Sequence, residues 1–135
     1  MITRLVHLVH HKSANPSPWA AYSFHFFEAV TEGAIVFVLA FLLPMNVLTV
    51  LLFTVVSFII NVYGHLGYEV MPRQLLTSPV FKVINTSVYH NLHHSKFKGN
   101  YSLYFRHWDR WMGTEHPEYE SEYKRVQIQR FGESS

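Results

Sequence analysis

From Gly33 to Tyr68 the chain runs for 36 residues without a lysine, arginine, aspartate or glutamate. That exceeds the ~20 apolar residues that carry one helix across a bilayer. The run is interrupted once, at Pro44-Met45-Asn46, where proline cannot continue a helix and asparagine favours a cap. Two helical segments are predicted, about residues 29–43 and 46–62. Each is roughly 22–26 Å long, slightly short of a ~30 Å hydrocarbon core. One long kinked helix would cross once; a hairpin over 29–62 would dip in and return. The Pro44 loop carries no positive charge and both flanks carry Lys and Arg, which favours the hairpin with both flanks cytoplasmic. The competing reading is a hairpin buried in a soluble bundle, but so small a domain has little else with which to cover it.

On the N-terminal side, residues 1–12 read as the end of a helix, closed by the turn signal Ser13-Ala14-Asn15-Pro16-Ser17-Pro18. A second helix is expected from Pro18 or Trp19 through Phe24, His25, Phe26 and Phe27. Beyond Glu69, Met71-Pro72 ends the hairpin helix, and Leu75 to Val83 alternates apolar with polar residues as a surface-lying segment would. A further helix is predicted over Tyr89–His94, a turn at Gly99-Asn100, and a charged, poorly patterned tail from Glu115 onward. The expected fold class is all-α: an integral membrane helical bundle with an apolar hairpin and a cytosolic histidine-rich helical cap. The domain covers 1–119 and the charged tail 120–135.

Composition sharpens this picture. Charged residues make up 15%, against about 25% in ordinary soluble domains. The net charge of +2 is uneven, with eight Lys/Arg against four Asp/Glu before Glu115 and the other five acids from Glu115 onward. A mildly basic body with an apolar centre suits a membrane surface, not nucleic acid, which calls for a basic stripe. The absence of cysteine excludes disulfides and thiolate metal sites. Met1 to His11 is too short and too histidine-rich for a signal peptide.

Histidine is the outlier, with 10 copies. Two pentads share one spacing: His7-Leu8-Val9-His10-His11 and His90-Asn91-Leu92-His93-His94. On a helix, positions i, i+3 and i+4 share a face, so each pentad is expected to offer its imidazoles to one point. Imidazole binds Fe, Zn, Cu and Ni, and binding selects the neutral ring, removing the repulsion of crowded imidazolium groups. His65 lies at the end of the apolar run, where a lone histidine is either an interfacial anchor or functional. The hairpin returns it to the level of the pentads, which favours a ligand, and Gly64 and Gly67 permit close helix approach. His25, in an aromatic run, falls outside the ligand spacings; His107 and His116 read as surface residues, and Asp109 and Arg110 as ties for the segment after the last pentad.

The order pentad, apolar hairpin, Gly-His, pentad resembles the fatty acid hydroxylase / sterol desaturase superfamily. Supporting phrases are His11-Lys12-Ser13-Ala14-Asn15-Pro16-Ser17-Pro18 with Ala21-Tyr22-Ser23-Phe24-His25, then Asn85-Thr86-Ser87, and finally Asn100-Tyr101 with Trp108-Asp109-Arg110-Trp111-Met112-Gly113-Thr114. The first is similar to sterol C5-desaturase-like members. The resemblance implies two iron ions, with zinc as a possible substitute, held by His7, His10, His11, His65, His90, His93 and His94. Glu69 stands where some members have a further histidine and is expected to hydrogen-bond a ligand's ring; His25 is expected near the site in a supporting role. The family also carries an earlier H-x(3,4)-H pair that does not occur before His7, so truncation or a partner supplying ligands is expected.

The implied activity is O2-dependent hydroxylation or desaturation of a sterol or fatty acyl chain in a membrane. Electrons would come from a separate donor such as cytochrome b5 or a ferredoxin, since the chain carries no flavin or dinucleotide fingerprint. The histidine clusters are expected on the cytoplasmic face, of the endoplasmic reticulum in a eukaryote or the inner membrane in a bacterium. The alternative is an inactive metal-binding remnant of the family; a zinc hydrolase is disfavoured because no H-E-x-x-H motif occurs.

Overall fold

The structure, a computed structural model, describes residues 16–23 and 25–132. Among them are the helices α1 Phe26–Leu42, α2 Val47–Gly64, α3 Ser87–Lys96, α4 His107–Met112 and α5 Tyr119–Phe131, with 3-10 turns at Pro18–Tyr22, Arg73–Thr77 and Pro79–Lys82. The described residues contain no strand, only an isolated antiparallel bridge between Ile84 and Phe105. The chain is mostly helical, as its patterning predicts.

The apolar run divides at Pro44. Leu43 is extended after α1, and Asn46 caps α2 by accepting the Thr49 N–H at 2.9 Å. Within the helices, Thr31 and Thr54 return their hydroxyls to the carbonyls of Phe27 and Val50 at 2.7 and 2.8 Å. Such bonds leave no polar group unsatisfied where water is absent. The 18 residues of α2 are long and apolar enough to cross a membrane, with a length of roughly 27 Å. The 17 residues of α1 begin with Glu28 and Glu32 in their first two turns, and none of them is buried. Apolar side chains along α1 and α2 stand exposed, Phe41 and Val47 by more than four-fifths. In water so continuous an apolar face is a liability, whereas against lipid it needs no cover.

The helix expected from Pro18 through Phe27 is two elements. The 3-10 turn stops at Tyr22, and α1 starts afresh at Phe26 with extended His25 as its N-cap. The turn is held by α2: Asn61 donates to the Ala21 carbonyl at 3.1 Å, Tyr22 stacks on Phe58 at 5.3 Å, and Ala20 and Ala21 are buried.

The cap is built around α3, which packs on the end of α2 and on α5. Its core joins Phe81, Val88, Tyr89, Leu92, Tyr119 and Tyr123, with Phe81 stacked on Tyr119 at 5.4 Å and Tyr89 edge-on to Tyr119 at 4.8 Å. The stretch expected to be a patternless tail therefore contributes a packed helix. Tyr119, Tyr123 and Gln127, spaced four apart on one face of α5, are all buried. The charged residues that mask this stripe in the sequence occupy the other faces of the helix.

A candidate metal centre

His65 is the C-cap of α2 and is 1% exposed. Its Nδ1 donates to the Asn61 carbonyl at 2.7 Å, so the lone pair of the neutral ring lies on Nε2. Burial lowers its pKa below the ordinary imidazole value, against the opposing effect of that hydrogen bond. The ring therefore offers a lone pair at neutral pH. That Nε2 lies 3.1 Å from Nε2 of His90 and 3.2 Å from Nε2 of His94, which are themselves 3.2 Å apart. The His90 ring packs on the end of α2, where a Cβ at Gly64 would meet it in ordinary contact at 3.4 Å.

With His65 an acceptor on that side, hydrogen bonds from both His90 and His94 would have to share its single lone pair. A cation satisfies all three. With metal–nitrogen bonds of about 2.0–2.1 Å, an octahedral face has edges of about 2.9 Å and a tetrahedral one about 3.3 Å. The observed 3.1–3.2 Å falls between them. Neutral imidazoles suit iron and zinc alike, so the donor set fits a metal ion.

The second pentad does not direct all its rings to that point. His90 and His94, four residues apart, face His65, while His93 turns its Nδ1 to the Gly99 carbonyl at 2.8 Å and meets Tyr101 edge-on at 5.3 Å. Adjacent residues are about 100° apart around a helix axis, so His93 and His94 address different partners. The bond to Gly99 puts the His93 lone pair on Nε2. Gly99 itself is held at φ +80°, where a Cβ would come within 2.7 Å of the Thr114 carbonyl oxygen. His7, His10 and His11 lie outside the described residues.

Of the two expected supporting residues, Glu69 acts otherwise than anticipated and His25 takes a structural role. Glu69, fully buried, accepts from Tyr63 hydroxyl at 2.9 Å, Met71 N–H at 3.0 Å and Val88 N–H at 3.2 Å. Val88 is in the first turn of α3, so this carboxylate anchors the positive end of the ligand helix and not an imidazole. Its carbonyl receives Arg130 of α5, and Tyr123 and Gln127 bind the carbonyls of Pro72 and Met71 at 3.2 and 2.8 Å. His25 is half-buried and accepts the Phe27 N–H at 3.3 Å as the cap of α1.

Asp109 does tie down the segment after the pentad. It accepts Tyr89 hydroxyl at 2.9 Å, the Tyr101 and Ser102 N–H groups at 3.0 and 2.9 Å, Thr114 hydroxyl at 2.6 Å, and Ser102 hydroxyl. Burial tends to raise its pKa, but these donors outweigh it and hold the carboxyl below its usual value. Desolvation together with the adjacent carboxylate pushes Tyr89 well above the ordinary phenol range. Arg106, which no sequence signal marks, is fully buried. Its guanidinium lies 4.3 Å over the Tyr119 ring and 4.7 Å over Phe81, and pairs with Glu115 at 2.6 Å.

The fatty acid hydroxylase family matches residues 1–114 of the chain. A cholesterol 25-hydroxylase-like protein of Danio rerio is 33% identical over 84% of the chain and 45% of its own length. Human cholesterol 25-hydroxylase is 33% identical over 82% of the chain and 40% of its own length. A Delta(7)-sterol 5(6)-desaturase of Gibberella zeae is 29% identical over 84% and 30%. The chain thus spans less than half the length of these curated relatives. No solved structure matches it. With two histidine pentads in the matched region and three imidazoles meeting at one point, the chain belongs to the fatty acid hydroxylase / sterol desaturase superfamily.

Proposed function

We propose that this chain forms part of a membrane-bound di-iron oxidoreductase that uses O2 to hydroxylate or desaturate a sterol or fatty acyl lipid. The observation that carries the reading is the triangle of His65, His90 and His94 nitrogens beside the end of an apolar helix. That triangle would hold one ion, and His93 with His7, His10 and His11 would supply the ligands of a second. Iron, when bound, supplies the oxidising power that breaking an unactivated C–H bond demands. The protein's part is to keep the imidazoles neutral, fix their tautomers through the Asn61 and Gly99 carbonyls, and hold α3 in register through Glu69 and Asp109. Electrons would come from a separate donor such as cytochrome b5 or a ferredoxin, reaching the centre from the cytoplasmic side.

The test is the iron-loaded protein in nanodiscs, supplied with a reductant, O2 and mixed sterol and acyl lipids. Lipid-dependent O2 uptake with an oxidised lipid product is expected, and its loss in His94→Ala. Iron-loaded protein that turns over none of these lipids would leave the metal-binding remnant as the better reading.

A further inference from the structure

A band of exposed aromatic residues follows the pentad helix and is used by none of the preceding chemistry. Trp111 is 74% exposed, Met112 65%, Trp108 53% and Phe105 47%. They form one patch: Phe105 lies 5.7 Å from the His107 ring, His107 5.0 Å from Trp111, and Trp111 5.3 Å from Trp108. An exposed apolar patch of this kind marks a surface with a partner.

The position of the patch identifies what covers it. Leu103, Tyr104 and Phe105 share the walls of an apolar cavity of about 220 Å³ with Ile60 and Tyr63, in the last two turns of α2, and with His90. The aromatic segment therefore lies level with the end of the helix that is apolar enough to span a membrane. Part of the backbone leading into it is bound within the protein. Asp109 takes the Tyr101 and Ser102 N–H groups, Asn85 N–H binds the Tyr104 carbonyl at 3.2 Å, and Arg106 N–H binds the Val83 carbonyl at 2.8 Å. These bonds reduce the number of polar groups that need water, which suits a shallow seat at the wet headgroup level better than the hydrocarbon core. Exposed Lys82 flanks it with positive charge of the kind lipid phosphates attract; its carbonyl accepts at 2.9 Å from Arg110, whose own charge is paired with Glu115 at 3.0 Å.

We propose that Phe105, Trp108, Trp111 and Met112 form a shallow membrane-contact patch, seated at the headgroup and acyl boundary of the bilayer that α2 crosses. Tryptophan favours that depth because its ring is apolar and its N–H is polar. The patch holds the cap down on the membrane and aims the cavity beside His90 at the lipid phase. The inference rests on the reading of α2 as a membrane span, so its test includes a separate probe of that helix.

The full chain is reconstituted into phosphatidylcholine vesicles with a minor anionic component, as Trp19→Phe so that only Trp108 and Trp111 emit. Lipids brominated high on the acyl chain are expected to quench this emission about twofold, with aqueous acrylamide ineffective. A second variant, with all three tryptophans changed to Phe and Phe53→Trp in mid-α2, is quenched by bromines near the bilayer centre. If Phe53→Trp is quenched while Trp108 and Trp111 respond to acrylamide alone, the patch is overturned and the span stands. If neither responds to brominated lipid, both readings fail. Protection from acrylamide that appears only at high protein-to-lipid ratio, without bromine quenching, would assign the patch to a second copy and overturn the lipid contact.

Discussion

Asp109 sits fifteen residues beyond His94 yet governs the helix that carries the pentad, because Tyr89, its hydrogen-bond partner, immediately precedes His90. Asp109→Ala removes the acceptor of five donors. The Tyr89 hydroxyl is fully buried and cannot recruit water, so its loss costs about 1–3 kcal/mol. The other donors belong to partly exposed residues and regain water, at about 0.5 kcal/mol each. The expected total, about 3–5 kcal/mol, is a large share of a stability of roughly 5–15 kcal/mol. Asp109→Asn, which keeps one acceptor oxygen, should lose about half as much. The sign with pH follows from a folded-state pKa held below the usual value of 3.8. The stabilisation is present in full above the unfolded value of about 3.9 and fades as pH falls through the lower folded value. Thermal unfolding in detergent, followed by circular dichroism across that acid range, should show an acid limb in the parent that is diminished in Asp109→Asn. An Asp109→Ala protein within about 1 kcal/mol of the parent would refute the role assigned to this carboxylate.

Other substitutions probe the centre directly. His65→Ala, His90→Ala and His94→Ala should each weaken metal binding by more than the roughly 10–100-fold that loss of an outer partner costs, whereas His25→Ala should retain the parent's metal content per chain, measured by elemental analysis. Gly99→Ala places a Cβ at φ +80° and 2.7 Å from a backbone oxygen; a destabilisation of at least about 1–3 kcal/mol is expected in thermal melts, with perturbed His93 resonances by NMR. Glu69→Gln presents an amide N–H2 to a cluster of donors, and about 1–3 kcal/mol should be lost in urea unfolding.

The parts of this structure that were legible in the sequence are those set by local pattern. An uncharged run with one Pro-Met-Asn interruption gives two helices, and Asn46 caps the second because its side chain is the right length for the Thr49 N–H. The i, i+4 pair His90 and His94 is a helix-face argument, and Gly64-His65 at the end of the apolar run supplies its counterpart. What escaped depends on contacts between distant segments. Arg106 reads as a surface charge until the rings of Phe81 and Tyr119 close over it. Glu69 reads as a neighbour of His65, but it binds Val88, 19 residues on. The tyrosine stripe of α5 was present at helical spacing, yet the five charged residues between Tyr119 and Phe131 gave it the look of a solvated tail.

The clamp of α5 on the loop beside Glu69 also orders events in time. His65, His90 and His94 are all translated before Tyr119, whereas Tyr123, Gln127 and Arg130 reach back 51 to 61 residues to Pro72, Met71 and Glu69. Chains fold from the N-terminal side as they leave the ribosome, so α2 and the helix bearing His90 and His94 can form while the clamp is still unmade. During that interval the loop beside Glu69 is held only by its own bonds to Tyr63 and Val88. The last helix to be made therefore completes the support of the three histidines and adds no donor to them.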